Sequence, residues 1–100
     1  MDIESIKIKI ASGGYIYSRH GDAERQDDNL SFLDVEESIL NGRMLESYED
    51  TGRGESCLIV GFSDDGKPIH VVCGQNRDTL VIVTVYIPTP PKFKNPYERG

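Results

Sequence analysis

Two histidines, His20 and His70, are the side chains best suited to moving protons near neutral pH. Imidazole titrates at about 6.5, so one ring can take a proton while another returns it. Tyr86 adds a phenol able to orient a group or donate a proton. Arg19, Arg43, Arg53 and Lys92 supply cations, and a guanidinium can grip a phosphate through two parallel bonds. A base, an acid and a cation are what metal-free RNA cleavage requires. The base takes the 2′-hydroxyl proton, the acid protonates the leaving oxygen, and the cation steadies the phosphorane. Each residue also has a plainer reading. His70 reads as a half-buried strand histidine bonded to backbone, and His20 as a cap on the turn that follows it. Tyr86 reads as a packed strand aromatic with its hydroxyl in water. Arg19 can pair with the acidic segment, and Arg53 lies in a glycine-bearing loop.

Other chemistries fit less well. Cys57 and Cys73 form neither a disulfide framework nor a zinc pattern, because no Cys-x-x-Cys exists and both histidines lie far from such a pair. Both cysteines sit in apolar, strand-like runs, which predicts buried free thiols in a reducing cytoplasm. Asp22, Glu24, Asp27 and Asp28 lack the ligand offsets and turn glycine of a metal loop. Gly52-Arg53-Gly54 is not followed by the Lys-Ser/Thr and helix of a phosphate cradle. Neither metal nor cofactor is expected.

The elements that must position these groups can be read from the pattern. Ile3, Ile6 and Ile10 recur at helical spacing while Ile6, Ile8 and Ile10 alternate like a strand; Gly13-Gly14 favours a helix from about Asp2 to Ser12. Tyr15 to Tyr17 reads as a short strand, followed by a short helix around Gly21 to Asp27. Ser31 and Asp34 fit a capping box, with Leu30 and Val35 as a hydrophobic staple. Phe32, Val35 and Ile39 line the helix that follows, flanked by Leu33 and Leu40. Asn41-Gly42 ends it, with Gly42 suited to a left-handed C′ position. Strands are expected over Arg43 to Tyr48, Cys57 to Phe62, Pro68 to Gly74 and Thr79 to Ile87, the last being the most apolar and expected at the centre. Four prolines from Pro88 to Pro96 predict an extended tail over 88–100 beyond a folded core over 2–87.

A two-residue turn at Asp65-Gly66 sets a definite register. Leu58, Val60 and Phe62 then share the helix-covered face with Ile69, Val71 and Cys73. Cys57, Ile59 and Gly61 share the other face with His70, Val72 and Gly74, with His70 opposite Gly61. The two cysteines fall on opposite faces unless a one-residue bulge intervenes. Val81, Val83, Val85 and Ile87 join the helix face. Leu80, Ile82, Thr84 and Tyr86 join the other, so His70, Thr84 and Tyr86 gather on polar, partly open surface.

One hundred residues suffice for one domain and one core. No apolar run approaches the roughly 18–20 residues of a membrane span. Met1-Asp2-Ile3-Glu4 lacks a secretory layout. The net charge of -6 argues against broad, nonspecific binding to nucleic acid or anionic membrane. Residues 1–50 hold 5 basic and 12 acidic groups, whereas residues 51–100 hold 6 and 5. The acidic excess between Asp22 and Asp50 reads as a solvated helix face or an acidic docking surface. The exclusion of nucleic acid weakens for a local site built from the strands and from Lys92 and Lys94.

Tyr17-Ser18-Arg19-His20, Leu30, Asp34-Val35-Glu36-Glu37 and Asn41-Gly42 form one ordered set. Gly61-Phe62-Ser63-Asp64-Asp65-Gly66-Lys67-Pro68-Ile69-His70-Val71-Val72 and Ile82-Val83-Thr84-Val85-Tyr86 continue it. In this order they resemble the small bacterial domain-of-unknown-function family 4258, over about Asp2 to Tyr97. That family is similar to the compact, messenger-cleaving toxins of toxin–antitoxin pairs, and its genes often neighbour a zinc-finger antitoxin-like protein. The resemblance implies a cytoplasmic, toxin-like, metal-independent endoribonuclease with RNA and an antitoxin-like protein as partners. One departure stands out. Where members carry arginines after the first histidine, this chain has Glu24 and Asp28, with Arg25 one step out of register. Carboxylates there oppose phosphate binding along that helix.

The expected fold is α+β: one domain with helices on one face of an antiparallel-rich, four- to five-stranded sheet. The expected function is toxin-like RNA cleavage. The alternative is a non-catalytic interaction module that docks a partner protein through a sheet edge or the acidic helix.

Overall fold

A computed structural model of the chain describes residues 1–50, 52 and 54–99. Its first helix, α1 (Ile3–Ser12), begins where the Asp2 carboxylate accepts the Glu4 amide and ends at Gly13, whose φ of +76° is left-handed. Ile6 and Ile10 are buried while Ile8 is exposed, so the helical period prevails over alternation. After β1 (Tyr15–Tyr17), Ser18 caps α2 (Arg19–Asp27) by accepting the Gly21 amide. The expected capping box opens α3 (Phe32–Leu40): Ser31 accepts from Asp34 and Asp34 accepts from Ser31.

Four strands follow: β2 (Arg43–Tyr48), β3 (Ser56–Phe62), β4 (Pro68–Asn76) and β5 (Thr79–Tyr86). With β1 they form one sheet in the order β1-β5-β4-β3-β2, antiparallel except where β1 runs parallel to β5. The class is α+β. β4, which carries His70, takes the centre, and the more apolar β5 lies beside it. Ile6, Ile10, Val35 and Ile39 of α1 and α3 pack with Ile59, Val71, Ile82 and Val85 into the main core. Among the described residues no helix is long and apolar enough to cross a membrane.

The β3–β4 register differs by one residue from the expectation. Gly66 is left-handed at φ +86°, and Asp65 is not among the positive-φ residues. A two-residue type I′ turn needs both, so the chain uses a three-residue loop instead, closed by the Ser63 amide on the Lys67 carbonyl. Cys57 therefore pairs with Cys73 on one face, and both are buried free thiols. Cys57 and Ile59 join the core under the helices, whereas Leu58 and Val60 turn to the face of His70. His70 stands opposite Val60, not Gly61. Gly61 instead meets α3: a Cβ there would lie 1.7 Å from the Ser38 carbonyl oxygen.

A bulge shifts β4 against β5 between Val72 and Cys73. The extra β5 residue switches faces midway. Leu80 and Ile82 consequently join the helix-covered core with Val85, whereas Thr84 and Tyr86 stay with His70. Gly42 is not left-handed as expected; it makes room, because a Cβ would come within 2.4 Å of the Ser38 carbonyl oxygen.

Unlike α1 and α3, α2 lies along the edge of β5. A Cβ on Gly21 would approach the Ile82 carbonyl oxygen to 2.6 Å. One turn on, Glu24 accepts the Val85 amide at 3.1 Å, and Asp28 accepts the Ile87 amide at 2.9 Å. The two carboxylates thus satisfy the donors that short β1 leaves open.

Gly61→Ala should lower stability well beyond Gly66→Ala, which meets only open space and the left-handed penalty of about 1–2 kcal/mol. Urea denaturation of both variants checks this.

Candidate functional site

Beyond β5 the chain does not run on as an extended arm. Pro88 ends the strand, but the segment returns across the sheet as a hairpin of β6 (Phe93–Asn95) and β7 (Glu98–Arg99). Phe93, 1% exposed, is its anchor, and burying such a ring contributes about 1.5–3 kcal/mol. The hairpin lies over His70, which is consequently 0% exposed rather than open.

Both nitrogens of His70 are occupied. Nδ1 lies 3.1 Å from the Tyr86 hydroxyl, its cross-strand neighbour. Nε2 lies 2.6 Å from the Pro96 carbonyl oxygen. A carbonyl only accepts, so Nε2 carries the proton and Nδ1 accepts from Tyr86. The Phe93 ring meets the imidazole edge-on at 4.4 Å. Burial pushes the His70 pKa below the ordinary histidine value, against the opposing pull of the Pro96 bond. Burial likewise raises the Tyr86 hydroxyl. At neutral pH the ring is uncharged.

Charge surrounds this neutral centre. Arg99 reaches from β7 to Glu46 of β2 through two bonds, at 2.7 and 2.9 Å. Those bonds, joined by one from Tyr48, hold the Glu46 carboxyl below its usual range. Burial and the Glu46 bond push the Tyr48 hydroxyl up to about 12. Arg99 also lies over the Phe93 ring at 5.0 Å. Arg43, exposed on β2, stacks over Tyr97 at 4.7 Å, and Tyr97 packs against Phe62. Lys92 stands 5.4 Å from the centre of the Tyr86 ring.

His70, Tyr86, Arg43 and Lys92 are therefore brought to one side of the sheet. His20 and Arg19 are not among them; both are exposed in the first turn of α2. The His20 side chain is 69% exposed, with Nε2 3.2 Å from Glu24. Arg53 lies outside the described residues. Among those residues, no group of three or more His, Cys, Asp or Glu side chains is arranged to hold a metal. Glu46, Phe93, Pro96 and Arg99 complete the site and are not among the candidates that residue type and spacing point to. The available signal was the tail's composition: Phe93, Tyr97 and Arg99 are costly to leave in a solvated linker.

The family model for a domain of unknown function (DUF4258) matches residues 17–87. No curated protein and no solved structure matches the chain. The matched span contains His20, His70 and Tyr86 and stops before the hairpin.

The buried neutral imidazole links stability to pH. The unfolded chain takes a proton at about 6.5, while the folded ring resists it to lower pH. Its stabilisation is complete above about 6.5 and is lost as pH falls through the folded pKa. Melting temperature should begin to drop as pH falls below about 6.5, above the usual carboxylate range, and His70→Asn should flatten that early drop.

Proposed function

The chain belongs to the DUF4258 family, and from that premise we propose that it is a toxin-like component of a toxin–antitoxin pair that cuts RNA without a metal. The observation that carries this reading is the His70–Tyr86 pair, with Arg43 and Lys92 held on rings beside it. In an opened site the ring changes tautomer through water: Nε2 gives up its proton, Nδ1 takes one and donates it to the turned Tyr86 hydroxyl, and the Nε2 lone pair is left free. Nε2 then takes the 2′-hydroxyl proton, and the 2′-oxygen attacks phosphorus. Arg43 and Lys92 carry the charge on the phosphoryl oxygens. The 5′-oxygen departs with a proton from water, and a 2′,3′-cyclic phosphate remains. Glu24 and Asp28 support RNA on the sheet face rather than along α2, since both are spent on backbone amides.

A second reading is favoured by the closure of His70. A fully buried imidazole with both nitrogens bonded is also what a purely structural residue looks like. On that reading the chain is a non-catalytic module that docks a partner protein.

Purified protein with single-stranded RNA in a chelator should yield 2′,3′-cyclic ends. His70→Gln should slow cleavage by about 10²-fold or more, and Tyr86→Phe by less. Far-ultraviolet circular dichroism verifies that each variant is folded. If His70→Gln and His20→Ala cut as the parent does, or if neither the parent nor Arg99→Ala cuts RNA or arrests growth, the catalytic reading fails. Recovery of one stoichiometric partner would then support docking.

A further inference from the structure

We propose that the β6–β7 hairpin is an autoinhibitory strap that occupies the place of a nucleotide on His70; this rests on the RNA-cleaving reading above. The hairpin presents two chemical groups to the site. One is a flat ring: Phe93 lies 6.1 Å from Tyr86 at an interplanar angle of 31° and edge-on to His70. The other is an acceptor oxygen: the Pro96 carbonyl sits on Nε2 at 2.6 Å. A nucleobase packed on Tyr86 would take the space that Phe93 fills, and a 2′-hydroxyl would take the place of the Pro96 oxygen, donating to Nε2 where the carbonyl accepts from it. The strap therefore occupies the place of a nucleotide and holds the proton on the nitrogen that the reaction needs free.

The strap's attachment suits release. Of Phe93–Arg99, only Phe93 is buried, and the remaining residues are exposed or half-buried. Its far end is tied to the sheet by the Arg99–Glu46 pair, whose side chains are 49% and 27% exposed. A second ion pair, Lys94 to Glu98 at 2.9 Å, lies within the hairpin itself and stiffens it as a unit. Pro88, Pro90 and Pro91 precede it and form no ladder with β5. Opening therefore breaks the Arg99–Glu46 pair, the Pro96 carbonyl bond, the Phe93 contacts with His70 and Tyr86 and the Tyr97 contacts with Phe62 and Arg43, and leaves the main core intact.

Access can be read without any RNA. Diethyl pyrocarbonate carbethoxylates exposed imidazole, with His20 as the internal reference and buried Cys57 and Cys73 reporting on the core through a thiol reagent. In the full chain His70 should react far more slowly than His20. Arg99→Ala and Glu46→Gln should each speed His70 modification by about tenfold while both thiols stay protected. His70 rates unchanged in both variants would overturn the strap. So would a parallel rise at the thiols, because His70 would then open only by global unfolding. RNA cleavage by the same variants separates the two claims. Faster His70 modification with faster cleavage supports both. Faster modification with no cleavage by any variant keeps the strap as a mobile cover and removes the nuclease reading.

Discussion

A buried imidazole with a fixed tautomer holds the distal half of this structure together. His70 sits at the centre of the sheet, and leaving either ring nitrogen unbonded there would cost about 1–3 kcal/mol. Tyr86 answers Nδ1 from the neighbouring strand, and Pro96 answers Nε2 from the C-terminal hairpin. The requirement couples three separate features: the β4–β5 register, the bulge that keeps Tyr86 on the face of His70, and the return of the tail. Phe93 completes the enclosure by excluding water from the ring. The Arg99–Glu46 pair then ties the hairpin to the opposite edge of the sheet.

The same economy explains the acidic first half of the chain. Glu24 and Asp28 accept amides that would otherwise lie bare along β5, and Gly21 lets α2 approach closely enough for them to reach. Asp22 and Arg25 pair within the helix, and Arg25 continues to the Leu30 carbonyl. Charges that look like a repulsive patch along the sequence are thus partly consumed in fastening one helix to one strand. They leave the site on His70 with its own electrostatics, set by Glu46, Arg99, Arg43 and Lys92.

Much of the fold was legible because it depends on short-range signals. Caps, periodicity and turn residues located α1, α3 and the strands to within a residue or two. The errors arose where one backbone choice propagates along a strand. Asp65 does not adopt the left-handed geometry of a two-residue turn, so β3 flips by one residue. Val60 rather than Gly61 then faces His70, and the cysteines come face to face. A bulge cannot be read from alternation, so Leu80 and Ile82 were placed on the wrong side. The site was half legible: His70 with Tyr86 follows from the strand pattern, but its lid does not. Four prolines suggested an arm, whereas the anchoring force is the burial of one ring, Phe93, in long-range contact with β4 and β5.

The clamp between Tyr86 and Pro96 requires His70 to be a neutral ring with its proton on Nε2. Nitrogen-15 NMR of the imidazole at pH 7 tests this directly. The expected result is a protonated Nε2 and an unprotonated, hydrogen-bonded Nδ1, with slow solvent exchange of the Nε2 proton. A doubly protonated ring, a proton on Nδ1, or a freely exchanging average of the two tautomers would contradict it.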